Sequence, residues 1–131
     1  WGQFNVLAHL TYPLQYLIEY DIKPNLENFK DIIVKIFKNM AEKNIALEIN
    51  CAKVYEDLYD TMPNLELIKL FYDCGGKYIS IGSDAHCADD IASGIKKGIE
   101  NAQKAGFNGF YYFKNHLPIY IDFSSLNFTS W

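Results

Sequence analysis

The chain has 131 residues, 50% of them hydrophobic and 16% aromatic, which suffices for one packed domain or part of a larger one and excludes intrinsic disorder. Its net charge is −4 and all twelve basic residues are lysines. The arginine contacts and basic stripes of nucleic-acid binders are therefore missing, and apolar runs of only a few residues are too short to cross a bilayer, so neither nucleic acid nor membrane is expected as a partner.

The sequence enters a strand-like run almost at once from Trp1, without an initiator Met, which predicts a piece cut from a longer polypeptide. That run, Gln3-Phe4-Asn5-Val6-Leu7-Ala8, ends at His9. Residues 12–20 form an aromatic-rich connection in which Pro13 starts a helical turn. Pro24 and Asn25 then open an amphipathic helix, with Leu26, Phe29, Ile33, Ile36 and Met40 at helical spacing and Ile32 and Phe37 widening the stripe. Lys43-Asn44 ends it. The strand Ile45-Ala46-Leu47-Glu48-Ile49-Asn50 follows, with Glu48 and Asn50 two apart and so on a common face. Residues 51–61 read as a polar, tyrosine-rich loop over the site.

Pro63 and Asn64 start a second helix, whose Leu67, Ile68, Phe71 and Tyr72 are predicted to face inward, and Gly75-Gly76 supplies its left-handed stop. A third apolar run, Tyr78-Ile79-Ser80-Ile81-Gly82, leads into Ser83-Asp84-Ala85-His86. Asp89-Asp90 places acid at the start of a third helix with Ile91, Ile95, Ile99 and Ala102 buried, and Gly94 and Gly98 permit close approach to its neighbour. After Gly106 come two extended runs, 110–113 and 119–122. Strands alternating with helices predict an α/β fold with a parallel sheet and right-handed crossovers.

The chemistry gathers at the ends of three strands. In an extended segment alternate side chains share a face, so Asp84 and His86 are expected to point the same way and hold one cation between carboxylate and imidazole. His9 and the pair Glu48 and Asn50 lie at the same, C-terminal, end of their strands, where side chains of parallel α/β folds converge on substrate. Cys51, Cys74 and Cys87 are odd in number and widely spaced, fitting reduced thiols in a cytoplasmic protein, with Cys87 beside His86 as a site neighbour.

Val6-Leu7-Ala8-His9-Leu10-Thr11-Tyr12-Pro13-Leu14, Leu47-Glu48-Ile49-Asn50, Ile81-Gly82-Ser83-Asp84-Ala85-His86 and Ala105-Gly106-Phe107, in this order, resemble the histidinol-phosphatase branch of the polymerase-and-histidinol-phosphatase (PHP) superfamily. The resemblance covers nearly the whole chain. It implies that residues 1–131 are the C-terminal portion of a distorted, TIM-like β/α barrel whose N-terminal half is absent. It also implies a cluster of up to three divalent metals (Zn, Mn or Fe) and hydrolysis of a small phosphorylated substrate, histidinol phosphate, by metal-activated hydroxide in histidine biosynthesis. His9, Asp84 and His86 would be metal ligands, with Asp84 and His86 catalytic. Glu48, Asn50, Ser83 and His116 would line the second layer or the substrate pocket.

Phosphate monoesters are dianions that repel hydroxide, so a cationic site of this kind suits them. The chain departs from the resemblance where that branch often carries arginine, at or near Gln15, Tyr55 and His116. Arginine is the side chain best shaped for bidentate phosphate recognition, and its loss bears on the substrate. The alternative reading is a non-catalytic metal-binding or scaffold module of the same fold; a PHP-type nuclease is the third. Half a barrel also leaves a sheet edge and an apolar face uncovered, which predicts self-association.

Overall fold

The computed structural model describes residues 3–20, 22, 25–52 and 60–126. Its centre is a parallel sheet of three strands in the order β1 (Val6–Leu7), β2 (Ala46–Asn50), β3 (Ile79–Gly82). The register runs Leu7 to Leu47, Leu47 to Ile79, Glu48 to Ser80 and Asn50 to Gly82. Alternation along β2 divides its chemistry: Leu47 and Ile49 go to one face, Glu48 and Asn50 to the other. β1 is far shorter than the run that predicted it, so Met62 takes the place beside Asn50 that β1 leaves open, exchanging two backbone hydrogen bonds with it.

Helices α2 (Lys30–Glu42), α3 (Leu65–Asp73) and α4 (Ile95–Ala105) cover the apolar face, and a short α1 (Leu14–Glu19) follows β1. Asn25 begins the α2 region through Oδ1, which accepts from the Glu27 N–H, and Asn64 caps α3 by accepting from Leu67 N–H at 3.1 Å. Phe37, Phe71 and Phe107 join these helices into one core with Leu47, Ile49, Ile68 and Ile79. Each such fully buried side chain contributes roughly 1.5–3 kcal/mol. α4 rides closest to the sheet at Gly98, where an added Cβ would lie 2.6 Å from Cys51 Sγ and 2.9 Å from Ile81 Cγ2.

Several expectations change. Residues 110–113 and 119–122 do not extend the parallel sheet. They belong to an antiparallel hairpin, β4 (Gly109–Lys114) with β5 (Leu117–Asp122), turned by Asn115 and His116, both at positive φ. Ala92 and Gly94 are left-handed, so α4 starts at Ile95 rather than after Asp89-Asp90, and Ile91 is exposed. Phe29 precedes the first full turn of α2, Ile32 lies beside its buried stripe, and both are exposed, as is Tyr72. Pro24, Tyr55, most of the 51–61 loop and the side chain of Gln15 lie outside the described residues. Among the described residues no helix is long and apolar enough to cross a membrane.

Candidate functional site

β1 ends at Leu7 and β3 at Gly82, so His9, Asp84 and His86 stand on loops just beyond the carboxyl ends of their strands. His9 (φ 72°) and Asp84 (φ 50°) are both left-handed, a conformation uncommon outside glycine and concentrated at functional sites. Strand alternation therefore does not orient Asp84 and His86 as expected, because the backbone turns sharply at Asp84 itself. His86 Nδ1 instead lies 2.8 Å from the Asp84 carbonyl oxygen. A carbonyl only accepts, so Nδ1 carries the proton and, in the neutral ring, Nε2 carries the lone pair.

Glu48, from the middle of β2, reaches the His9 loop: its Oε2 accepts from the His9 backbone N–H at 3.3 Å and lies 3.6 Å from His9 Nε2. Asn50 links that pair to the next strand. Its Nδ2 donates to Asp84 Oδ2 at 3.1 Å, it hydrogen-bonds Glu48 as well, and its Oδ1 accepts from Ala52 N–H at 3.0 Å. The four residues form one continuous polar chain, His9–Glu48–Asn50–Asp84, across the ends of all three parallel strands. Gly82 gives the Glu48 carboxylate room, since a Cβ there would sit 4.0 Å from Oε1.

Burial pushes the Glu48 carboxyl above its ordinary value and Asp84 pushes the same way, while His9 and the Asn50 hydrogen bond oppose them. Two carboxylates in one another's field, an imidazole beside them and a second imidazole whose Nδ1 is tied to a carbonyl make a donor set whose chemistry fits a divalent cation. In number it falls short: among the described residues no three His, Cys, Asp or Glu side chains are grouped closely enough to hold a metal by themselves.

The structure brings His9, Glu48, Asn50 and Asp84 together, with His86 one loop turn away and Ser83 half-buried between Gly82 and Asp84. It does not bring His116 to them. That residue turns the hairpin, where its Nδ1 meets Asn5 Oδ1 at 2.9 Å and its carbonyl accepts from Asn5 Nδ2 at 3.0 Å, ahead of β1. Tyr111 likewise meets Tyr78 at the start of β3, with ring centroids 4.6 Å apart. The hairpin therefore meets the sheet at the amino ends of β1 and β3, opposite the polar chain. Cys87 Sγ turns to Asp90 Oδ2 at 3.1 Å. Tyr12, which no sequence signal beyond its closeness to His9 singles out, stacks on the His9 ring. Two open grooves, of about 710 Å³ between the start of α2 and α3 and about 410 Å³ between β1 and α2, include none of the polar chain.

No protein-family model matches the chain. Among curated proteins, a probable histidinol-phosphatase of Thermotoga maritima is 35% identical over 105 residues, covering 80% of this chain and 42% of that protein. The histidinol-phosphatase of Lactococcus lactis is 30% identical over 105 residues, covering 80% and 39%. A crystal structure of histidinol phosphate phosphatase from Lactococcus lactis, complexed with zinc, L-histidinol and phosphate, superposes with a TM-score of 0.70 at 24% identity, over 91% of this chain and 45% of that one, and shows the same fold. The resemblance to the histidinol-phosphatase branch is thus borne out, and the chain spans about two fifths of the length of the curated relatives it matches.

Proposed function

We propose that the chain is the C-terminal part of a PHP-type β/α barrel and contributes one side of a metal-dependent phosphomonoester hydrolase of the histidinol-phosphatase type. The observation that supports this best is the His9–Glu48–Asn50–Asp84 chain at the carboxyl ends of three parallel strands, in a segment whose relatives are named for that activity. Divalent metals of the zinc, manganese or iron kind, to which His9, Asp84 and His86 Nε2 would each contribute a ligand with the rest from outside this chain, would supply Lewis acidity and an activated hydroxide.

The chain's own residues do the orienting. Asn50 donates to Asp84 Oδ2 and so leaves Oδ1 as the oxygen for a cation. Glu48, close to both His9 and Asp84, keeps negative charge beside the ligands and stabilises a cation there. Ser83 lines the approach, and Asp84 and His86 are the catalytic pair in the sense that they hold the reacting centre. His116 does not enter this reading as a pocket residue, since it is fastened to Asn5 at the other end of the strands.

The experiment is release of phosphate from L-histidinol phosphate, with zinc or manganese, by the polypeptide that carries this chain, beside its Asp84→Ala variant. Turnover that disappears in the variant supports the proposal; metal-loaded protein without turnover overturns it. The absence of arginine favours a second reading, a metal-binding module that has kept the fold and lost phosphate recognition. Metal bound through Asp84 without hydrolysis of any phosphomonoester is the result that selects it.

A further inference from the structure

The His9 loop is built so that its imidazole is gripped twice. The edge of the ring faces Glu48, with Nε2 3.6 Å from Oε2, and the same carboxylate oxygen takes the His9 backbone N–H at 3.3 Å. One face of the ring lies against Tyr12, with centroids 5.7 Å apart and planes 22° from parallel. That stacking follows from the backbone: the Tyr12 N–H donates to the His9 carbonyl at 3.1 Å, closing a turn that the positive φ of His9 begins. Tyr16, one helical turn further on, meets Tyr12 edge-on at 5.9 Å and 77°, and the two hydroxyls are 3.5 Å apart, so Tyr12 is itself braced.

We infer that Tyr12 is a positioning residue for His9, its ring fixing the plane in which the imidazole presents its nitrogen to a metal. This rests on the proposed reading of His9 as a ligand. A histidine on a loop turns about two side-chain bonds, and a ligand free to turn must be ordered each time metal binds. Supports of this kind usually take the form of a hydrogen bond to the second ring nitrogen, as the Asp84 carbonyl provides for His86. His9 has an aromatic face in that role. Tyr12 and Tyr16 are partly exposed, 39% and 49%, and stand outside the buried core, so substitutions there leave the fold in place.

The test compares the polypeptide that carries this chain with its Tyr12→Phe and Tyr12→Leu variants, using zinc titration and, without metal, proton NMR Overhauser effects from the His9 ring to residue 12 and to Glu48. Tyr12→Phe keeps the aromatic face and is expected to bind zinc as the unsubstituted chain does. Tyr12→Leu is expected to bind about tenfold more weakly, the lower end of what losing a ligand's support costs. Unchanged binding in Tyr12→Leu, or an equal loss in Tyr12→Phe, overturns the inference. If the unsubstituted polypeptide that carries this chain takes up no zinc, the metal reading of the site fails, and Tyr12 is judged on the metal-free ring. A His9–Glu48 Overhauser effect that vanishes in Tyr12→Leu and persists in Tyr12→Phe supports positioning; one that persists in both overturns it.

Discussion

Asn50 meets Asp84 with a fixed polarity: its Oδ1 is taken by the Ala52 N–H at 3.0 Å, so only its NH₂ group faces Asp84 Oδ2 at 3.1 Å. An amide held this way presents Asp84 with a donor and not an acceptor. Asn50 is only 1% exposed, so nothing from solvent replaces it. Asn50→Leu, which keeps the heavy-atom count and the branch at Cγ, leaves the Ala52 N–H and one Asp84 oxygen unpaired. Urea unfolding is expected to show a loss of about 1–3 kcal/mol, and a loss near zero would remove Asn50 from its linking role.

Metal content reads the site directly. Elemental analysis of the polypeptide that carries this chain beside an Asp84→Ala/His86→Ala double variant, both purified without chelator, is expected to find less zinc, manganese or iron in the variant. Equal content in both would place the metal elsewhere.

The approach of α4 to the sheet sets a steric limit. Gly98→Ala puts a Cβ 2.6 Å from Cys51 Sγ and 2.9 Å from Ile81 Cγ2, and overpacking of this kind costs about 1–3 kcal/mol. A calorimetric unfolding midpoint lower in Gly98→Ala and partly restored in Gly98→Ala/Cys51→Ala is the expected pattern. No restoration would mean that the clash is with Ile81 alone.

Cys51 gives the stability an alkaline limit. Burial pushes its thiol up to about 12, from the ordinary 9.0. The folded state therefore holds a proton that the unfolded state gives up, so stability is fully present below about pH 9 and falls as pH rises toward 12. Cys51→Ala is expected to flatten that alkaline fall in urea titrations at successive pH values. A thiol reagent at pH 8 should leave Cys51 unmodified in the folded chain while reaching exposed Cys87.

The outer edge of β1 has no paired strand among the described residues, and beside it Phe4, Leu7, Ile36, Met40 and Ile45 line an apolar groove. A second copy of the chain is expected to cover that edge when no other segment does. Sedimentation at rising concentration should show a dimer or larger species, and a monodisperse monomer throughout would contradict this.

What was legible in the sequence was local. The buried stripes of α3 and β2 follow from period alone, and Asn64 and Gly75 mark a helix start and stop that the structure repeats. The gathering of His9, Glu48, Asn50 and Asp84 at one end followed from parallel strands, although the contacts between them depend on left-handed residues that no pattern announces. The hairpin was missed for two reasons. Its turn, Asn115-His116, has both residues at positive φ without the glycine that usually marks such a turn, and its contact with Asn5 joins positions 111 apart. Asp89-Asp90 looks like the start of α4 and in fact closes a single 3₁₀ turn, Ala88–Asp90.

That distant contact binds the beginning of the chain to its end. β1 is two residues long, and strands so short keep their place only with help from both sides. Along one side it pairs with β2; at its amino end, the hairpin tip grasps the Asn5 side chain just ahead of Val6. β1, and with it the seat of His9, is thus held by partners far along the sequence, Ala46 and Leu47 beside it and His116 at its amino end. Contacts of that sequence separation carry a loop-closure cost that local ones do not, so one end of the sheet owes its place to pairings made at long range.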